Sequence, residues 1–169
     1  ITVEEKPTGE LMAGAGFGTE GTSFSFSIKE NNYLGKGLGV DGTINLSEES
    51  IRGGLTITDP NYKYTGNLVR GGLTSTKTDN TTSGYENTLT SFSLGTRFEQ
   101  YKNVYFTPGI DLSFDDLRVD NSASDKLKKQ AGEYSEIAAS YGLTYDKRNR
   151  KFMPTDGSII NISQSLPIY

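Results

Sequence analysis

The chain has 169 residues and a formal net charge of −4, with 33% hydrophobic and 22% charged side chains. Cysteine and histidine are both absent, which excludes a disulfide framework, thiolate metal sites and the commonest general base. The acidic balance offers no basic face for nucleic acid, and no run approaches the roughly 20 apolar residues of a membrane helix.

A membrane barrel survives these exclusions, because barrel strands are apolar only at alternate positions. Gly, Ser, Thr, Asn and Tyr are plentiful, which suits strands and turns better than helices. Residues 1–8 read as the end of a preceding element, punctuated by Pro7. The first strand is expected over 9–19. Leu11, Ala13, Ala15 and Phe17 share one side of it; Glu10, Met12, Gly14, Gly16 and Gly18 share the other. A strand so rich in glycine should pair weakly. Glu20-Gly21 is a tight turn.

The second strand, 22–31, alternates Phe24, Phe26 and Ile28 with serines, and the third, 38–46, sets Leu38, Val40, Ile44 and Leu46 against polar residues. The fourth, 51–58, carries Ile51, Leu55 and Ile57, and Pro60 stops it because proline cannot donate to the ladder. The fifth, 67–76, has Val69 and Leu73 on one face, and a polar loop is expected over 77–87. The sixth, 88–98, alternates Phe92, Leu94 and Phe98 with polar residues, and 99–103 turns the chain. In the seventh, 104–117, Val104, Phe106, Ile110, Leu112 and Phe114 share one face. The loop 118–130 follows, with a helical turn expected within 124–131. The eighth, 133–146, aligns Ile137, Ala139, Tyr141, Leu143 and Tyr145; a charged turn spans 147–157, and the ninth strand, 158–166, carries Ile160, Ile162 and Leu166.

The fold expected is therefore all-β, an antiparallel up-and-down meander of about nine strands, each with one apolar and one polar face. Such a sheet either closes around a polar lumen in a membrane or covers an apolar core in solution. Tyr33, Tyr62, Tyr64 and Tyr101 collect at one set of strand ends, as an aromatic girdle does, which favours the membrane barrel.

Three motifs have ordinary explanations. Gly16-Phe-Gly-Thr-Glu-Gly21 matches a dinucleotide fingerprint literally, but a strand rather than a helix is expected after it. Glu48, Glu49, Asp115, Asp116 and Asp120 lack calcium-loop spacing and read as solvated loop ends. Of the sequons at Asn45, Asn80 and Asn161, two fall in expected strands.

The stretch 145–157 is more specific. Tyr141-Gly-Leu-Thr-Tyr-Asp146, the charged 147–151 and Phe152-Met-Pro-Thr-Asp-Gly157 resemble a strand and turn of the BamA family, the outer-membrane β-barrel assembly factors of Gram-negative bacteria. Asp146, Arg148, Phe152, Pro154, Thr155 and Gly157 carry that likeness. Val3-Glu-Glu-Lys-Pro-Thr-Gly9 resembles the family's junction between its last periplasmic POTRA domain and its barrel. Gly14-Ala-Gly-Phe-Gly18 resembles the first barrel strand; Asn31-Asn-Tyr-Leu-Gly-Lys-Gly37 and Thr58-Asp-Pro-Asn-Tyr62 resemble later turns, in the same order.

The resemblance implies a POTRA end and junction over 1–8 and the first half of a sixteen-stranded barrel over 9–169. It implies an outer-membrane location, with hairpins after odd-numbered strands outside and the others periplasmic. The implied function is insertion of β-barrel proteins, without enzymatic chemistry, cofactor or metal. The backbone of Glu10, Leu11, Met12, Ala13, Gly14, Ala15, Gly16 and Phe17 would form a lateral gate that templates an incoming strand. Implied partners are nascent outer-membrane proteins, the bilayer, and periplasmic assembly lipoproteins through POTRA domains. Alternatives are a translocation pore of the same superfamily, a passive porin or adhesin barrel, and a soluble ligand-binding meander.

Overall fold

The computed structural model describes residues 8–18 and 21–169. Of the expected junction only Thr8 is among them, and Thr19 and Glu20 of the first hairpin also lie outside the described residues.

Strands β1 (Gly9–Gly18), β2 (Gly21–Tyr33), β3 (Leu38–Ser47), β4 (Ser50–Asp59), β5 (Leu68–Asn80), β6 (Tyr85–Tyr101), β7 (Val104–Val119), β8 (Gly132–Asp146) and β9 (Ile159–Pro167) form one sheet. Each pairs antiparallel with its sequence neighbours, in the order β1 to β9. Among the described residues the helical structure is one 3-10 turn at Tyr62–Tyr64 and a single turn, α1 (Asp125–Lys128). Ser124 caps α1 by accepting from Leu127 N, inside the stretch expected to be helical.

Register puts the apolar positions of all nine strands on one face. Leu11 stands opposite Ile28, Ile28 opposite Gly42, Gly42 opposite Leu55, and the row continues through Leu73, Phe92 and Leu112 to Ile137. The polar row beside it runs Met12, Ser27, Thr43, Gly54, Thr74, Ser91, Ser113 and Glu136. A slip of one residue in any pair would exchange the faces, so the alternation itself fixes the register.

The apolar band crosses these rows obliquely. On β1 it spans Leu11 to Phe17, centred on Gly14, whose row runs through Ser25, Asn45, Arg52, Thr76, Leu89 and Asp115 to Tyr134. On β8 the band spans Ile137 to Tyr145, centred on Tyr141, seven residues beyond Tyr134 after seven strand-to-strand steps. One residue of stagger per strand, at about 3.3 Å rise and 4.8 Å spacing, inclines the strands by about 35° to the band.

Among the described residues, no core lies behind either face. Among the described residues the only buried apolar side chains are Ala123 and Ala138, whereas Phe26, Ile44, Leu94, Ile110 and Phe114 are all about half exposed. The apolar face therefore needs a covering that the described residues do not supply. The polar face carries Arg97 stacked 4.6 Å from the Tyr105 ring centre.

The structure shortens one expected loop. Instead of turning over 77–87, β5 and β6 continue to pair as far as Asn80 opposite Tyr85. Both faces there are polar, so the alternation disappears while the ladder continues. Lys77 Nζ sits 3.1 Å from Glu86 Oε2 across it, and Asp116 pairs with Arg118 at 2.7 Å on the neighbouring strand. The turn expected over 99–103 likewise contracts to Lys102-Asn103, with a bulge between Glu99 and Tyr101 and Asn103 in the left-handed region at φ 65°.

A bilayer on the apolar face has a direct consequence. In the full-length protein reconstituted in lipid, Leu112→Arg should cost about 2–4 kcal/mol of folding free energy. Ser113→Arg, one residue away on the polar face, should cost under about 1 kcal/mol. Urea titration read by gel mobility would check both.

Candidate functional site

Strand β1 has a partner on one side only among the described residues, and all ten of its residues are exposed. Its other edge offers a row of backbone N–H and C=O groups, the form in which a sheet accepts an added strand. Strand β9 has the same standing at the opposite end of the sheet.

The side chains holding β1 to β2 differ between the two faces. On the apolar face Leu11 opposes Ile28, Ala13 opposes Phe26 and Ala15 opposes Phe24. On the polar face Gly14 opposes Ser25 and Gly16 opposes Ser23, so no side-chain pair forms at either place. A Cβ at Gly14 would come 2.8 Å from Ser25 Oγ, and one at Gly16 would come 2.9 Å from Ser23 Oγ. The serine hydroxyls thus lie across the space the glycines leave. Glu10, Met12 and Phe17 complete the strand, opposite Lys29, Ser27 and Thr22. The foot of β1 is clamped more firmly: Glu30 accepts from the Thr8 hydroxyl and from Asn32 N, and Asn31 Nδ2 donates to Thr8 O. Sequence reading passed over Glu30; a carboxylate on an apolar face was the available signal.

The second candidate, the turn between β8 and β9, is an ordered hairpin extension. Lys147 N donates to Ser158 O and Asn149 N to Asp156 O. Asn149 is the hub, its Oδ1 accepting from Thr155 N and Asp156 N while its Nδ2 donates to Thr155 Oγ1. Asp146 receives Arg148 on both oxygens, from Nε and Nη2 at 2.8 Å each. Arg148 beside it pulls the Asp146 carboxyl down to about 2. Gly157, at φ 92°, lies where a Cβ would fall 2.2 Å from Lys147 O, so only glycine fits. Pro154 and Thr155 thus lie in this framework, and Phe152 projects from it with 81% of its surface exposed. Asn149 went unnoticed because the charged residues around it dominate the stretch.

Two other turns at the same end use a related asparagine device. Asn32 Oδ1 accepts from Gly37 N at 2.6 Å, and Asn61 Oδ1 accepts from Gly66 N at 2.7 Å. The equal spacing of asparagine and glycine was legible in the sequence. Tyr33, Tyr62, Tyr64 and Tyr101 all lie at this end of the sheet, as the girdle reading expects.

Of the acidic residues read as loop ends, Asp115 and Asp116 instead lie within β7, opposite Tyr134 and Glu133, where the ladder outlasts the alternation. Glu48 and Glu49 link neighbouring hairpins, and Asp120 orders its own loop. Glu48 accepts from Thr22 N, Glu49 from Asn80 Nδ2, and Asp120 from Ser122. Strand β2, not a helix, follows the glycine-rich stretch at 16–21.

Residues 32–168 match the Omp85 superfamily domain, more than half of the chain. The chain belongs to the Omp85 superfamily. Its fold is similar to the crystal structure of BamA from Haemophilus ducreyi lacking POTRA domains 1–3, with a TM-score of 0.70 at 23% identity. The match covers 98% of this chain and 35% of that one, so the chain spans about a third of the length of that relative. Membership in the Omp85 superfamily places the chain in the bacterial outer membrane, and lipid is then the covering that the apolar face lacks. The BamA-type barrel sheet expected from the sequence motifs is the sheet observed.

Two outcomes follow for the turn. Because the Asp146 carboxyl is held below its ordinary range, its pairing with Arg148 should be complete above about pH 4 and fade as pH falls through about 2; a side-chain carboxyl NMR titration would follow it. Gly157→Ala should destabilise the full-length barrel by more than about 1 kcal/mol, read as a lower urea midpoint.

Proposed function

We propose that this chain is the first part of a barrel that inserts β-barrel proteins into the outer membrane, with β1 as the templating strand of a lateral gate. Residues 1–8 are read as the end of a POTRA domain and its junction, and 9–169 as the first half of the barrel. The observation that carries the reading is the β1–β2 register: Gly14 and Gly16 stand opposite Ser25 and Ser23, so β1 is bound there without polar-face side-chain pairs.

The chemistry is backbone hydrogen bonding, not covalent catalysis. An incoming strand adds along Glu10 to Phe17 and satisfies donors and acceptors that lipid cannot. Few side-chain contacts mean that β1 can bend away from β2 at modest cost while its bonds exchange. The partners are nascent outer-membrane proteins, the bilayer, and periplasmic lipoproteins that dock through POTRA domains.

Valine at both Gly14 and Gly16 tests the reading. The crowding serine hydroxyls can rotate aside, so the β-branched side chains should strengthen β1–β2 pairing by about 1 kcal/mol per site. Substrate insertion by the full-length protein in proteoliposomes should slow several-fold, with barrel stability kept or raised. Unchanged insertion would remove the glycines from the gate. Substrate released into the vesicle interior, rather than folded in its membrane, would favour the translocation pore.

A further inference from the structure

The turn between β8 and β9 has a feature that strand templating does not use. Phe152 and Met153 are 81% and 69% exposed on a frame fixed by its own hydrogen bonds. Around them stand Lys147, Arg148, Arg150 and Lys151, against one acidic residue within the turn, Asp156. Arg148 is taken up by Asp146, while Lys147, Arg150 and Lys151 form no ion pair among the described residues. The other hairpins at this end carry one cation each: Lys36, Lys63 and Lys102.

The lipid-facing surface runs directly into this turn. Its last row is Val104, Tyr145 and Ile160, standing opposite one another on β7, β8 and β9. Lys147 occupies the next position of the same alternation, and its N–H still bonds across to Ser158. An aromatic and aliphatic row followed by a cation is the sequence of chemistry met on leaving acyl chains for headgroups.

We propose that this turn is a lipid anchor. Phe152 and Met153 enter the interfacial layer of the periplasmic leaflet while Lys147, Arg150 and Lys151 meet the phosphates of anionic phospholipid. The proposal rests on the barrel reading, which sets the turn at bilayer depth. Burying the two apolar side chains supplies hydrophobic free energy, and the unpaired cations supply attraction that grows with negative surface charge. An anchor beside β9 would hold the depth of that part of the wall.

The test uses full-length protein labelled with an environment-sensitive fluorophore at M153C, and separately at L143C on the lipid-facing surface. Both are reconstituted in phosphatidylethanolamine vesicles with and without phosphatidylglycerol. The expected result is quenching of the 153 label by nitroxide lipids at headgroup depth, stronger with phosphatidylglycerol and reduced by K147E/K151E. That double substitution leaves the Arg150 Nε bond to Met153 O in place. A 153 label that reports water in both compositions overturns the anchor, as does one shielded from lipid and aqueous quenchers alike. If the 143 label also reports water, the barrel reading itself fails.

Discussion

Every backbone donor and acceptor placed at membrane depth needs a partner, because hydrocarbon offers none. That requirement accounts for the simplest feature of the chain, a ladder running unbroken from β1 to β9 with each strand paired to its sequence neighbours. It also explains how so little burial is compatible with order. A soluble sheet is fixed by its core; here two small alanines are the only buried apolar side chains among the described residues. Backbone bonding and the difference between two solvents, lipid and water, do the work that packing does elsewhere.

The same requirement sets what side chains have to do along the ladder. Along β2 to β8 both edges of each strand are satisfied, and side chains need only suit the solvent they face. At β1, Gly14 and Gly16 stand opposite Ser25 and Ser23, so side chains do not interlock with the neighbouring strand at those two places. Strong templating and easy release ask for opposite things. In the proposed gate, backbone groups would provide the first and glycines opposite serines the second, so the two demands would fall on different atoms.

Much of this was legible in the sequence, for an identifiable reason. Period-2 alternation marks a strand wherever its two faces meet different media, so β1, β3, β4, β7 and the band on β8 were readable nearly to the residue. Alternation vanishes where both faces meet water, which is why the extension of β5 and β6 to Asn80 and Tyr85 read as loop. The turn after β8 read as charged; its order comes from Asn149 and from a glycine that no other residue can replace, and neither has a periodic signature. The β1 residues were found as a weak strand from their composition, and the gate role proposed for them came from family likeness. Glu30 stood out only as a carboxylate at an apolar position of β2; that it clamps the foot of β1 depends on the register.

The paired extension of β5 and β6 alters the outline of the wall. On β1 the apolar face runs to Phe17, one residue from the strand's end, whereas β6 continues past Phe92 for seven residues that reach Tyr85. At about 3.3 Å per residue that is roughly 20 Å of added wall. Viewed from the side of the odd-numbered hairpins, the sheet is a parapet, high at β5 to β7 and cut down at β1. Among the described strands the wall is lowest at β1. Substitution and insertion on the parapet carry no lipid penalty. Variation at the surface can therefore gather there while the low side stays small and bare.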